Sequence, residues 1–356
     1  MAADDSGKSF GDIRKVAQKN LGRSPLPPAA ARAVDSAAGA ATGDKLHGGS
    51  ADLSRPHTLT EVGLARRLAG MIRGRLVYVR ERKEWLAFDG MRWAEKAEHV
   101  AVQYAKRLHD ELWRELGELS ANERTSEIVG FVQGSGRKNA VAAVVNLAQS
   151  EDGINHSIEE FDQHPYLLNL RNGVLDLQSG ELRRHDPRLF ITQLAAVDFD
   201  PHAHSELWDQ FVRDVTCDND NLTEFLQQAF GLALTADVSD EVLICHSGGG
   251  SNGKSTALEA VAAMLGDYAT TAPPSLFTER RSESHPTEIA TLHAKRFAIA
   301  IETEANKALR ESLVKSLTGG DTITTRRMRE DFWRMTPTWH LHIAYNSCRN
   351  RHCPKC

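Results

Sequence analysis

The chain has 356 residues, enough for two or three domains with cores of their own. Forty-three Lys and Arg stand against 48 Asp and Glu, a net charge of −5, which excludes a generally basic nucleic-acid coat and leaves only a local basic site. No run approaches the roughly 20 apolar residues of a membrane helix, so no membrane partner is expected.

Residues 1–57 read as a disordered low-complexity leader: from Ser24 to Pro56 the chain is rich in Ala, Pro, Gly and Ser and holds no aromatic residue. Order is expected from Thr58. A helix capped by Thr60 places Val62, Leu64, Ala65, Leu68, Ala69 and Ile72 on one stripe. Alternating segments around Asp89-Gly90 then predict a small meander, Val100 to Leu119 predicts a helix, and Asn172-Gly173 and Ser179-Gly180 mark two hairpin turns. This mixed α and β region is assigned to 58–215. Asp220 to Leu234 reads as a helix with Leu222, Phe225, Leu226, Ala229 and Phe230 on one buried face.

Beyond Asp240 the texture changes, since EVLIC and FAIAI are short, wholly apolar runs that suit parallel strands covered on both faces. After the first comes HSGGGSNGKSTALEAVAAMLG, which matches G-x-x-x-x-G-K-[ST] between a strand and an amphipathic helix. Gly248, Gly249, Gly250, Ser251, Asn252, Gly253, Lys254, Ser255 and Thr256 form a candidate cradle for ATP. Its backbone N–H groups and the helix N-terminus favour polyphosphate, Lys254 would reach the β and γ phosphates, and Ser255 would hold Mg²⁺. The second run ends in Glu302-Thr303-Glu304. One of these carboxylates can hold the Mg²⁺ shell and the other can polarise water, and strand alternation puts both on one side. The bland alternative is an acid pair at a helix N-terminus.

From Ile323 onward seven basic residues (Arg326, Arg327, Arg329, Arg334, Arg349, Arg351, Lys355) stand against Glu330 and Asp331. Arginines interleaved with Phe332 and Trp333 suit a single-strand grip with base stacking; a solvated hairpin is the competing reading. Trp339, Leu341, Ile343 and Tyr345 alternate along a further strand ending at Asn346, which could sense the γ phosphate.

With these residues in order, the chain resembles the superfamily 3 helicases, in the phage and plasmid primase-helicase group related to the satellite-phage α protein and the poxvirus D5 protein. The resemblance rests on the loop at Gly250 to Thr256, the ETE at Glu302 to Glu304, KSLTGGDTITTRRM from Lys315, Asn346, and upstream WLAFDGMRW, LLNLRNGVLDLQSGEL and LQQAFGLALT. It implies an α/β fold with an AAA+-like P-loop ATPase core over 216–346, preceded by a D5 N-terminal-like helicase-flanking domain. It also implies a homo-hexameric ring on single-stranded DNA and ATP-driven 3′ to 5′ unwinding in phage, prophage or plasmid replication, in the cytoplasm of a bacterial host. Lys254, Ser255, Glu302, Glu304 and Asn346 carry over as the catalytic site, and Lys315 with Arg326, Arg327 and Arg329 as the DNA-facing element.

Two departures from the family pattern stand out. The leader is too short for a priming domain, so priming is not expected. After Asn346 the chain runs into SCRNRHCPKC, similar to the zinc-binding region of rolling-circle insertion-sequence transposases, where the family has an arginine-finger segment. The core is therefore expected to be truncated and its activity impaired, with 347–356 a transposase-like tail. The alternative is a non-catalytic ATP- and DNA-binding remnant left by an insertion element. Cys348, Cys353 and Cys356 could coordinate Zn²⁺, but three thiolates with no clear fourth ligand read as an oxidation-prone cluster. With Cys217 and Cys245 they make five cysteines, an odd number that implies a reducing compartment and no disulfide framework.

Overall fold

The structure, a computed structural model, describes residues 59–277, 286–303, 310–328 and 332–346, so the expected leader and tail lie outside the described residues. The chain divides into two compact units. One is built from described residues up to 163 together with 186–192, the other from 164–185 and from 193 onward.

In the first unit, α1 (Glu61–Ile72) begins where Thr60 Oγ1 accepts the Gly63 N–H at 3.0 Å, relieving one of the unpaired donors of a helix start. Leu64, Ala65, Leu68, Ala69 and Ile72 are buried as the periodicity predicts, but Val62 is exposed in the first turn. The predicted meander is present as β1 (Leu76–Val79), β2 (Glu84–Phe88) and β3 (Trp93–Ala94), and β4 (Asn155–His156) joins β1 in parallel. At the β2–β3 turn, Asp89 Oδ1 accepts the N–H groups of Met91 and Arg92, both at 2.9 Å, and Gly90 takes φ +99°. Helices α2 (Glu98–Glu118), α3 (Ser126–Ser135) and α4 (Lys138–Ala148) follow. Their Leu108, Leu112, Val132 and Val144 share one core with Leu68 and Trp85. Residues 186–192 return to this unit because Trp93 holds them: its indole N–H donates to Pro187 O, its backbone N–H to Ile191 O, both at 2.9 Å, and Phe190 stacks on its ring.

In the second unit, β5 (Leu167–Leu170), β6 (Gly173–Asp176) and β7 (Leu182–Arg183) form the two predicted hairpins. Helices α5 (Glu206–Thr216) and α6 (Asp220–Leu232) follow. Four strands then make an all-parallel sheet: β8 (Leu243–Gly248), β9 (Ala269–Thr271), β10 (Phe297–Thr303) and β13 (His340–Asn346), in the order β8-β13-β10-β9. Helix α7 (Lys254–Leu265) crosses from β8 to β9 and packs Leu258, Val261 and Leu265 with Phe297, Ile299 and Ala344. Short α8 (Pro286–Ala290) and α9 (Glu311–Thr318) precede a two-stranded antiparallel ribbon of β11 (Ile323–Thr325) and β12 (Trp333–Met335).

Two expectations about burial are corrected. The apolar run of β10 is buried from Phe297 to Ala300 because the strand is central, whereas β8 is an edge strand and leaves Cys245 exposed. On α6, Leu222 is 42% exposed and Phe225 is 53% exposed. Ala229 is buried and Leu226 and Phe230 are half-buried as the periodicity predicts, so the correction falls on the first two residues of that face, which stay in solvent.

The second unit is tied together by Arg296, a buried side chain just before β10. Its guanidinium donates to the carbonyls of His164, Leu167 and Leu234 and lies over the Tyr268 ring, 4.6 Å from the centroid. Tyr268 Oη in turn accepts the Asn169 N–H at 3.1 Å, and Asn169 exchanges bonds with Gln193 O and the Ala195 N–H. These bonds bind β5–β7 to the parallel sheet, and the compact units part at 163/164.

Replacing Arg296 removes charge-assisted bonds to three part-buried carbonyls and leaves those acceptors without them. Arg296→Met is expected to cost about 3 kcal/mol or more in urea unfolding, by the usual cost of stranded buried polar groups. Arg296→Lys should recover little, because one ammonium cannot reproduce the planar fork.

Candidate functional site

The carboxyl ends of the parallel strands all point one way, and in such sheets ligands collect at that end. Three of the predicted elements meet there. Gly248 at the end of β8 is the ladder partner of Asn346 at the end of β13, and Tyr345 pairs with Thr303 at the end of β10. The β10–β13 register shifts between Ile301 and Thr303, so Glu302 is an extra residue in the ladder. A bulge interrupts alternation. Glu302 and Glu304 therefore cannot be assigned to one side by the alternation of an unbroken strand, and Glu304 lies outside the described residues.

The loop after β8 curls through two left-handed residues, Ser251 at φ +62° and Gly253 at φ +82°. At Gly253 both conformation and space require glycine, since a Cβ there would stand 2.5 Å from Val215 Cγ1 and 3.1 Å from the Phe211 ring. Helix α5 is thus packed directly against the loop, a contact that no local sequence signal announces. No side chain caps α7, which leaves its first turn open to an anion. Lys254 Nζ lies within the loop and donates to Asn252 Oδ1 at 2.8 Å and to Gly248 O and Gly249 O at 3.2 Å. Burial lowers its pKa. Ser255 and Thr256 follow in the first turn of α7, both half-buried.

Beside the loop, α5, α6 and α7 enclose an apolar cavity of about 800 Å³ lined by Trp208, Phe211, Leu226, Phe230, Ala260 and Met264 among others. Phe230 also stacks on a histidine layer in the sheet. His246 Nε2 and His342 Nδ1 are 3.0 Å apart, and Phe297 meets His342 edge-on at 4.6 Å. His340 and His342 are buried in the sheet. Burial pushes the His340 pKa down to about 4, with the neighbouring Asp237 and Asp240 and the Thr235 carbonyl opposing and Arg296 adding. Burial, then the charges of His246 and His340, hold His342 well below its ordinary value. Burial and the Lys254 charge lower His246.

The predicted DNA-facing residues separate by exposure. Lys315 on α9 and Arg326 after β11 are exposed, Arg327 is half-buried, and Arg329 lies outside the described residues. The Arg326 guanidinium covers Phe332, 4.6 Å from the ring centroid, and Met328 and Phe332 are 72% and 58% exposed at the tip of the ribbon. Trp333 is not available for base stacking: it is buried edge-on against His293 at 4.7 Å, because strand alternation turns Trp333 and Met335 inward. Cys348, Cys353 and Cys356 lie outside the described residues; among the described ones no group of three or more His, Cys, Asp or Glu side chains is placed to hold a metal ion. No described helix is long and apolar enough to cross a membrane.

Residues 65–217 match the model of a family described as D5 N terminal like. The match takes in residues of both compact units and ends two residues past the expected boundary at 215. Similar curated proteins are "Putative helicase L207/L206" of Acanthamoeba polyphaga mimivirus, 28% identical over 49% of this chain and 19% of its own length, and "Putative primase C962R" of African swine fever virus, 26% identical over 53% and 21%. The similarity thus spans about a fifth of those relatives. A solved structure described as "The A form apo structure of NrS-1 C terminal region-CTR" aligns with a TM-score of 0.43 at 10% identity, covering 80% of this chain and 57% of that one.

The histidine layer predicts an acid limb in stability. The folded chain keeps His340 and His342 neutral while the unfolded chain protonates them near pH 6.5, so unfolding takes up protons. Stability should fall as pH drops from about 6.5 toward 4, measured by urea unfolding at stepped pH. His342→Phe, which keeps an aromatic ring in place, should flatten that slope.

Proposed function

We propose that this chain is the nucleotide-driven part of a superfamily 3 helicase, binding ATP with Mg²⁺ at the glycine-rich loop and single-stranded DNA at the β11–β12 ribbon. The observation that carries this reading is the convergence of a G-x-x-x-x-G-K-S loop, an uncapped helix and the ends of β10 and β13 at the carboxyl edge of one parallel sheet. A glycine-rich turn without a ligand would need none of the last three.

The residues fit a nucleoside triphosphate. Gly253 brings the backbone close and α7 presents its N-terminus. Lys254 supplies the counter-charge, and the apolar cavity beside α5 offers a wall for the base. Ser255 with Glu302 would hold Mg²⁺, which when bound supplies charge neutralisation on the phosphates. Glu302 and Glu304 divide the metal-holding and water-polarising roles, and Asn346, next to Gly248 in the ladder, senses the γ phosphate. On the DNA side Lys315, Arg326, Arg327 and Arg329 provide phosphate contacts that carry no sequence information, as a translocating motor requires. Strand movement 3′ to 5′ by a homo-hexamer, in phage, prophage or plasmid replication, completes the proposal. The replication-enzyme names of the viral relatives support it.

Lys254→Ala is expected to abolish the rise in melting temperature that ATP and Mg²⁺ give the wild type; equal shifts in both would remove the site assignment. Replacing Arg326, Arg327 and Arg329 together by Ala should weaken single-strand binding and flatten its dependence on salt, by about 0.7 in log–log slope for each phosphate no longer neutralised. The ATP-induced shift should persist in that variant, and stimulation of ATP turnover by single strands should disappear.

A further inference from the structure

The Lys254 side chain folds back onto the loop. Its ammonium is held by three oxygens of the loop, and the shortest of these bonds, 2.8 Å, goes to the side chain of Asn252 rather than to backbone. The Asn252 amide reaches that position by lying across Gly248: a Cβ on Gly248 would stand 2.0 Å from Asn252 Nδ2 and 3.2 Å from its Cγ. Gly248 is not in the left-handed region, and a side chain there would have to push the Asn252 amide aside. The left-handed residues on either side, Ser251 and Gly253, fold the asparagine back over the loop.

We propose that Asn252 is a positioning residue that latches the Lys254 ammonium to the loop, and that it competes with phosphate for the lysine instead of serving as a phosphate ligand. This rests on the loop being the nucleotide site. An ammonium carries three N–H donors, and phosphate oxygens compete for them with the oxygens that now hold them. The two backbone carbonyls belong to the loop whatever its sequence. Of these three oxygens Asn252 Oδ1 is the one that a substitution removes, and it acts on the residue proposed to meet the β and γ phosphates. Asn252 therefore sets how readily the lysine is released to an incoming triphosphate, and the lysine's contacts with the loop stay intact until it arrives.

The test uses the full chain with Mg²⁺ and the β,γ-imido analogue of ATP, measuring Kd by calorimetry and association rate by stopped flow with a fluorescent form of the same analogue. Asn252→Ala should bind about three- to tenfold more tightly than wild type, chiefly through faster association, the range expected when one competing hydrogen bond to a charged group is removed. Asn252→Ser, too short to reach the ammonium yet polar, should show the same gain. Asn252→Asp, a stronger acceptor, should slow association. Asn252 is exposed, so these variants are expected to melt with the wild type. Equal or weaker binding by both the Ala and Ser variants, with the wild type binding, would overturn the latch and make Asn252 a phosphate ligand or a loop stiffener. No binding by the wild type would overturn the nucleotide site itself, and the latch with it.

Discussion

A buried guanidinium whose described hydrogen bonds go to backbone carbonyls is the constraint on which the larger unit depends. Taking a full charge out of water is costly unless it is fully hydrogen-bonded. Arg296 meets that demand with carbonyls from two separate stretches of chain, at 164 and 167 and at 234, and with the face of Tyr268. None of those stretches can move away without stranding the charge. Because Arg296 immediately precedes β10, the central strand is fixed at its amino end against the end of α6 and the start of β5. The carboxyl ends of β8, β10 and β13, where the glycine loop, Glu302 and Asn346 sit, lie at the opposite edge. Tethering at one edge leaves the other available for binding and chemistry.

What was legible in the sequence was what local chemistry decides. Thr60 as a cap, Asp89-Gly90 and Asn172-Gly173 as turns, and the glycine loop between strand and helix each depend on a few neighbouring residues, and each is found where expected. What was not legible depends on partners distant in sequence. A wholly apolar run does not say whether its strand is central, like β10, or at an edge, like β8. Helical periodicity finds the apolar stripe of α6 that buries Ala229 but cannot tell that Leu222 and Phe225, on the same stripe, stay in solvent. Trp333 beside arginines looks like a base-stacking residue until strand alternation and His293 bury it. The return of 186–192 to the first unit and the role of Arg296 rest on contacts across many residues, for which a single sequence carries no periodic signal.

The histidine layer shows how the same sheet joins stability to the site. His246 and His342 are hydrogen-bonded in a stack with Phe230, and a hydrogen bond between two imidazoles needs one ring nitrogen as donor and the other as acceptor. That pairing suits two neutral rings and fails when both are protonated. His246 lies two residues before Gly248, and the charge of Lys254 contributes to its lowered pKa. The strands that carry Gly248 and Asn346 are therefore joined, one layer below their ends, by a contact that is at its best when neutral.

The glycines of the loop are not equivalent, although a motif reads them alike. Gly249 and Gly250 have nothing within 4 Å of where a Cβ would be, so space does not restrict them. At Gly248 a Cβ would meet the Asn252 amide and the Lys254 ammonium, ends of side chains that can move aside. Gly253 is required twice, by its left-handed backbone and by Val215 and Phe211, which lie on α5 about forty residues earlier. The loop's shape is thus partly imposed from outside the motif. A change at Val215 that added bulk would press on the turn that aims Lys254, although nothing in its sequence neighbourhood marks it as functional. Helix α5 belongs to the site on the same footing as the glycines, and its contribution is the one that only the fold reveals.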